Sequence, residues 1–227
     1  MKRFSLNITR SLRCSNASVD YLGLKIPKTN KHSEVFAKHR QQIPINNIAP
    51  YVSNDSFIAP NATLTGRVGL LEAASVWYGA IINGNDKDLI RIGFLSNIQD
   101  NVVINCAPKS QLDSGYPADV TIGKLCTINQ GAILTSCTIG DICTIGQGAI
   151  IPEGCVVEYG AMVADGAVLS PYTQIPSKQL WAGNPAKYVR DVDDDELVMW
   201  TRVSFVYIYS LYSILYVLCS IYILLHY

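Results

Sequence analysis

The sequence is almost without histidine. His32, His39 and His226 are the only three in 227 residues, and none falls between residues 40 and 225. Chemistry that needs a cluster of imidazoles in the middle of the chain is therefore excluded. Charge is sparse too, at 16 % of residues with a net charge of zero. Residues 1–40 hold nine of the 18 Lys and Arg against two acids, Asp20 and Glu34, which leaves nine basic and 16 acidic residues for the rest. A mildly acidic body without a basic stripe excludes the electrostatic footprint of a nucleic-acid binder. There is no CxxC pair among the seven cysteines and no even framework, so neither disulfides nor a structural cysteine–zinc site is expected. No apolar stretch follows the first residues, which excludes a secretory signal.

What the N-terminus has instead is a cationic, hydroxyl-rich start. MKRFSLNITRSLRC carries Lys2, Arg3, Arg10 and Arg13 and no acid before Asp20. Mitochondrial presequences share that composition, so residues 1–20 are read as one and 21–47 as an N-terminal extension.

The strongest positive signal is a period of six. Aliphatic residues recur at Ile58, Leu64, Leu70, Val76 and Ile82, then at Ile92, Ile98 and Ile104, then at Ile122, Ile128 and Leu134, and finally from Ile139 through Ile145, Ile151, Val157, Val163 and Leu169 to Ile175. Neither an amphipathic helix nor a lone strand has this period; the hexapeptide repeat of a parallel β-helix does. Two residues before most of these positions the side chain is small, as at Ala62, Ala80, Cys126, Cys143 and Ala161. Three hexapeptides make one coil of a triangular prism. The aliphatic residues fill its interior, and the small slot faces inward where a larger group would clash. Cys126, Cys137, Cys143 and Cys155 occupy that slot and are read as slightly larger alanines. The fold expected is all-β, with a β-helix over residues 48–182. The segments 83–90 and 105–121 break the period and read as loops.

After Pro185, the acidic start of DDDELVMW marks a helix within the C-terminal segment 183–202. Residues 203–225 are 23 uncharged residues within an apolar tail, 203–227. By length they could span a membrane. Five tyrosines spread along the run, and its AT-rich codon vocabulary, fit a translated intron equally well.

Several segments resemble the gamma-class carbonic anhydrases: IAPNATLTGRVGL, SVWYGAIINGN, SNIQDN, TINQGAILTSCTIGD, CTIGQGAIIPEGCVVE and WAGNPAKYVRDV. The likeness covers residues 48–192 and leans toward the gamma carbonic anhydrase-like subunits of mitochondrial complex I. The resemblance implies a left-handed parallel β-helix with a C-terminal α-helix, an exception to the right-handed crossover rule. It also implies a trimer with zinc sites between subunits.

In that family three histidines hold the zinc, two from one subunit and one from its neighbour. Their positions here are Asn105, Gln130 and Thr135. The Arg and Asp of the family's RGD segment are Asn83 and Asn85, while Gln99 and Asp100 match the family and are expected at a trimer contact. Amide and hydroxyl oxygens are poor zinc ligands, so no cofactor is expected. The reading that results is a non-catalytic structural subunit. It would form a trimer with active-type gamma carbonic anhydrases on the membrane arm of complex I, at the matrix side of the inner membrane, with membrane contact possible through the tail. Two alternatives are an active zinc enzyme hydrating CO2 and a hexapeptide acyltransferase using coenzyme A, whose histidine base the repeat lacks.

Overall fold

The computed structural model describes residues 39–108 and 116–201. Residues 1–38, 109–115 and 202–227, which include the segments read as a presequence and an apolar tail, lie outside the described residues. Contact clustering divides the chain into Met1–Ala37 and Lys38–Tyr227, and everything described here belongs to the second unit.

The chain climbs as a three-sided coil with one short strand per side. The first face holds six parallel strands: Gln42–Ile43, Thr63–Thr65, Ile81–Asn83, Val103–Asn105, Ile133–Thr135 and Ile150–Ile151. The second face runs from Tyr51–Val52 to Gln174–Ile175, and the third from Phe57–Ile58 to Met162–Val163. The third face ends in an antiparallel hairpin, Gln179–Gly183 with Ala186–Asp191. The coil starts earlier than the repeat suggests. Gln42 and Ile43 already pair with Leu64 and Thr65, inside the segment assigned to the N-terminal extension.

The period-six residues are the core. Leu64, Ile82, Ile104, Ile128, Leu134 and Ile145 are fully buried, and the alanines and cysteines of the small slot are buried between them. The cysteines do more than fill space. The thiols of Cys126 and Cys143 each donate over 3.0 Å to a carbonyl of the coil above, Gly140 and Glu158 respectively. Ser96 does the same for Gly123 at 2.7 Å. Each donor adds a hydrogen bond to a turn carbonyl that an alanine could not make, and the Glu158 carbonyl also accepts the Ala161 N–H over 3.2 Å.

The three edges are turned by residues in the left-handed region, and two edges differ sharply. Between the third and first faces these residues are Gly79, Asn101, Gly131, Gly148 and Gly166. Glycine and asparagine adopt positive φ at little cost. Between the second and third faces they are Ala73, Leu95, Leu125, Ile142, Gly160 and Lys178, with φ of 53–64°. Positive φ costs a bulky L-residue roughly 1–2 kcal/mol.

The C-terminal helix α1, residues 194–201, lies on that second–third edge. Leu197 is buried against Met162, with Ile142, Leu180 and Trp200 packed around them. A Cβ at Gly160 would come within 3.2 Å of the Leu197 methyl groups, so glycine leaves room for the helix there. Burying a side chain the size of Ile142 is worth about 1.5–3 kcal/mol. Ile142 is partly buried and gains part of that, which offsets the conformational cost of a branched residue in the turn.

Candidate functional site

The repeat brings three of the singled-out positions into one ladder. Asn105 is in register with Asn83 on one side and Thr135 on the other, at the ends of neighbouring strands of the first face. Thr65 continues the row below Asn83. The Asn83 Nδ2 donates to Asn105 Oδ1 over 2.9 Å, and the Thr65 hydroxyl donates to Asn83 Oδ1 over 3.1 Å. Side-chain hydrogen bonds thus tie the ladder together from Thr65 through Asn83 to Asn105.

Gln130 lies elsewhere. It occupies the turn between the third and first faces, exposed, at the opposite end of the strand that carries Thr135. The turn at Gly131 and the whole of strand Ile133–Thr135 separate the two, so they stand at opposite edges of the first face. One chain therefore cannot bring Gln130 to Asn105 and Thr135. Gln130 is stacked one coil above Asp100, whose Oδ1 accepts the Tyr78 backbone N–H over 2.9 Å. Gln99, beside it, is half-buried. Gln99, Asp100 and Gln130 form one group at the third–first edge; Asn83, Asn105 and Thr135 form another at the first–second edge.

Asn85 is committed to its own loop. Its Oδ1 accepts the backbone N–H groups of Lys87 and Asp88 over 2.7 and 2.8 Å, and its Nδ2 donates to Asp88 Oδ2 over 2.8 Å. Cys106 follows the ladder directly, yet it offers no thiolate at neutral pH. Burial, and then the carboxylates of Asp88 and Asp119, push its thiol up to about 11. His39 lies at the foot of the coil, with Nε2 3.2 Å from the Ala62 carbonyl. His32 and His226 lie outside the described residues.

This donor set does not fit zinc. Asn105 Oδ1 is already occupied by Asn83, and the remaining groups are neutral amides, a hydroxyl and a protonated thiol. Zinc sites are built from imidazole, thiolate and carboxylate. Among the described residues no three of His, Cys, Asp or Glu come together as a metal cluster.

The sequence reading missed the surface between the two groups. Ile81, Val103, Ile133 and Ile150 are in register down the outer side of the first face. Ile81, Ile133 and Ile150 are each about 37–40 % exposed, so an aliphatic stripe faces outward. The equivalent row of the second face carries Arg91 and Thr121, and that of the third carries Asn97 and Thr127, which are polar but buried. The signal was in the sequence as aliphatic doublets, Ile81-Ile82, Val103-Ile104, Ile133-Leu134 and Ile150-Ile151, which recur in four successive strands of the first face, whereas the second face has a single one, Val156-Val157.

The architecture is that of the hexapeptide-repeat β-helix proteins. A hexapeptide transferase family protein from Anaplasma phagocytophilum superposes with a TM-score of 0.67 at 35 % identity, over 74 % of this chain and 93 % of that one. No protein-family model matches the sequence. Individual relatives do. Gamma carbonic anhydrase 3, mitochondrial, of Arabidopsis thaliana is 37 % identical over 190 residues, covering 84 % of this chain and 72 % of that protein. Gamma carbonic anhydrase-like 2, mitochondrial, of the same plant is 40 % identical over 157 residues, 69 % of this chain and 60 % of that protein. The chain belongs to the gamma carbonic anhydrase family. It spans 66 % of the length of the plant's gamma carbonic anhydrases 1 and 2.

Proposed function

We propose that this chain is a non-catalytic gamma carbonic anhydrase-like subunit that assembles through its first face with active-type members of the family. Asn105, Gln130 and Thr135 stand where the family's zinc histidines stand, and Asn83 and Asn85 replace its Arg and Asp. One observation carries the reading. The amide ladder and Gln130 flank an outward aliphatic stripe, at opposite ends of the same strands. A neighbouring subunit laid on that stripe would bring its own Gln130 edge toward this chain's ladder, as the family's shared sites require. Amides suit such a contact, because each is both donor and acceptor. Gln99 and Asp100 would lie at the same junction.

In a trimer with two competent partners this chain would spoil two of three sites and leave one. The mitochondrial names of the plant relatives, together with the basic N-terminus, support a mitochondrial address for the assembly. Its address there would be the matrix side of the inner membrane, on the membrane arm of complex I.

The test is co-expression with an active-type gamma carbonic anhydrase, read by native mass spectrometry and metal analysis. A mixed trimer with zinc below one per two chains is expected, and the chain purified alone should hold no stoichiometric zinc. Ile133→Glu should cut incorporation at least 100-fold, because a carboxylate buried without a partner is costly. A zinc-loaded homotrimer that hydrates CO2 would overturn the reading.

A further inference from the structure

Three successive turns of the second–third edge stack an acid, a ring and a base. Glu72, Phe94 and Lys124 directly precede the left-handed residues Ala73, Leu95 and Leu125. The Leu95 N–H donates to the Glu72 carbonyl over 3.2 Å, and the Leu125 N–H donates to the Phe94 carbonyl over 2.9 Å, which fixes their order up the column. Neighbouring coils lie about 4.8 Å apart, so Glu72 and Lys124 stand about 10 Å from each other along the edge. Both are exposed. The ion pairs between described residues, Lys178–Asp194 and Arg190–Glu196, use neither of them.

A cleft of about 330 Å³ opens beside this column, lined by Tyr51, Ser53, Leu71, Glu72, Phe94 and Lys124. Its two rings face solvent, Tyr51 at 67 % exposure and Phe94 at 40 %. Gly69 follows Tyr51 in the outer row of the second face, and a Cβ there would meet nothing closer than the Ile90 carbonyl at 4.0 Å. No side chain therefore stands above Tyr51 in that row. A single exposed ring needs no explanation. Two rings that wall one cleft between unpaired charges of opposite sign are a pattern, with an apolar floor and a few polar groups at its ends.

We propose that this cleft binds a short peptide with free ends, its amino group at Glu72, its carboxylate at Lys124 and an apolar side chain between Tyr51 and Phe94. The match is one of length. An extended residue spans about 3.3–3.6 Å, so a tripeptide covers about 10 Å, the separation of the two charges. A free amino acid carries both charges on one residue and is too short to meet both groups unless they converge. A polyanion such as a nucleotide would meet the Glu72 carboxylate. Exposed ion pairs each contribute little, so the rings supply most of the affinity and the two charges set the direction of the peptide.

The test titrates the isotope-labelled full chain with the peptide Ala-Phe-Ala and with its N-acetylated, C-amidated and doubly capped forms, following amide shifts by NMR. Saturable shifts are expected at Leu71, Glu72, Phe94 and Lys124, and capping either end should weaken binding roughly two- to fivefold. The acetylation penalty should vanish in Glu72→Gln and the amidation penalty in Lys124→Met. Phe94→Ala should weaken every form at least tenfold. Shifts that do not saturate by about 20 mM peptide, weaker than any specific site needs, would overturn the proposal. So would equal affinity for the free and doubly capped peptides, or capping penalties that persist in the two charge variants.

Discussion

Two edges of one prism solve the same backbone problem in opposite ways. Both place a residue at positive φ in each coil from Ala73 and Gly79 upward. The third–first edge uses Gly79, Asn101, Gly131, Gly148 and Gly166, and a Cβ added at Gly131, Gly148 or Gly166 would meet nothing within 4 Å. The second–third edge uses Leu95, Leu125 and Ile142, residues that resist the conformation. The difference lies in what each edge faces. An edge with no cover of its own gains nothing from a large side chain, so it takes the residue with the least strain. On the other edge the bulky side chains find cover of their own, Ile142 beside the Met162–Leu197 cluster and Leu95 at 9 % exposure. Turn composition thus follows how far each turn side chain is buried within the chain.

The largest expected effect comes from removing the cover. Leu197→Ala leaves a hole between the helix and the coil, where Leu197 is 6 % exposed. A loss of about 2–3 kcal/mol is expected in urea unfolding of the full chain. A loss below about 0.5 kcal/mol would mean that α1 does not hold the edge. Ile142→Gly asks the sharper question. It relieves roughly 1–2 kcal/mol of turn strain but gives up about 1.5–3 kcal/mol of burial and adds about 0.5–1 kcal/mol of chain entropy. A net loss of about 1–2 kcal/mol follows. A gain in stability would break the comparison. Gly148→Ala, on the open edge, should cost about 1 kcal/mol from backbone strain alone, since no neighbour is struck.

Most of the coil was legible because a buried aliphatic every sixth residue has no other regular explanation. The edges were not. Leu95, Leu125 and Ile142 are not turn formers, so turn chemistry gives no hint of them. Only the three-dimensional register shows that they stack. The site suffered a related obscurity. Asn83 and Asn105 are 22 residues apart, and Asn105 and Thr135 are 30, against 18 for the regular step from Thr65 to Asn83. The loops at 84–89 and 106–119 hide the ladder until they are removed. Resemblance to a family located the individual positions. It did not reveal that Asn83 already holds Asn105, or that Gln130 is out of reach within one chain.

The smallest prediction concerns the upper end of the covered edge. Arg190, on the terminal hairpin, grips Glu196 of α1 with two hydrogen bonds of 2.8 and 2.9 Å. The guanidinium holds the Glu196 carboxyl below the usual carboxylate range. A carboxyl whose folded pKa is depressed adds stability above its unfolded pKa, and that stability fades as pH falls through the folded value. Both side chains are about a third or more exposed, so solvent keeps the effect small. Thermal melting of the native chain and Glu196→Gln, from pH 3 to pH 6, separates charge from packing. The native chain should melt slightly higher at pH 6, with the two curves meeting toward pH 3. A gap that persists at pH 3 would mean that Glu196 holds the helix by its shape. The covered edge would then owe nothing to electrostatics, and its contrast with the glycine edge would rest on apolar burial alone.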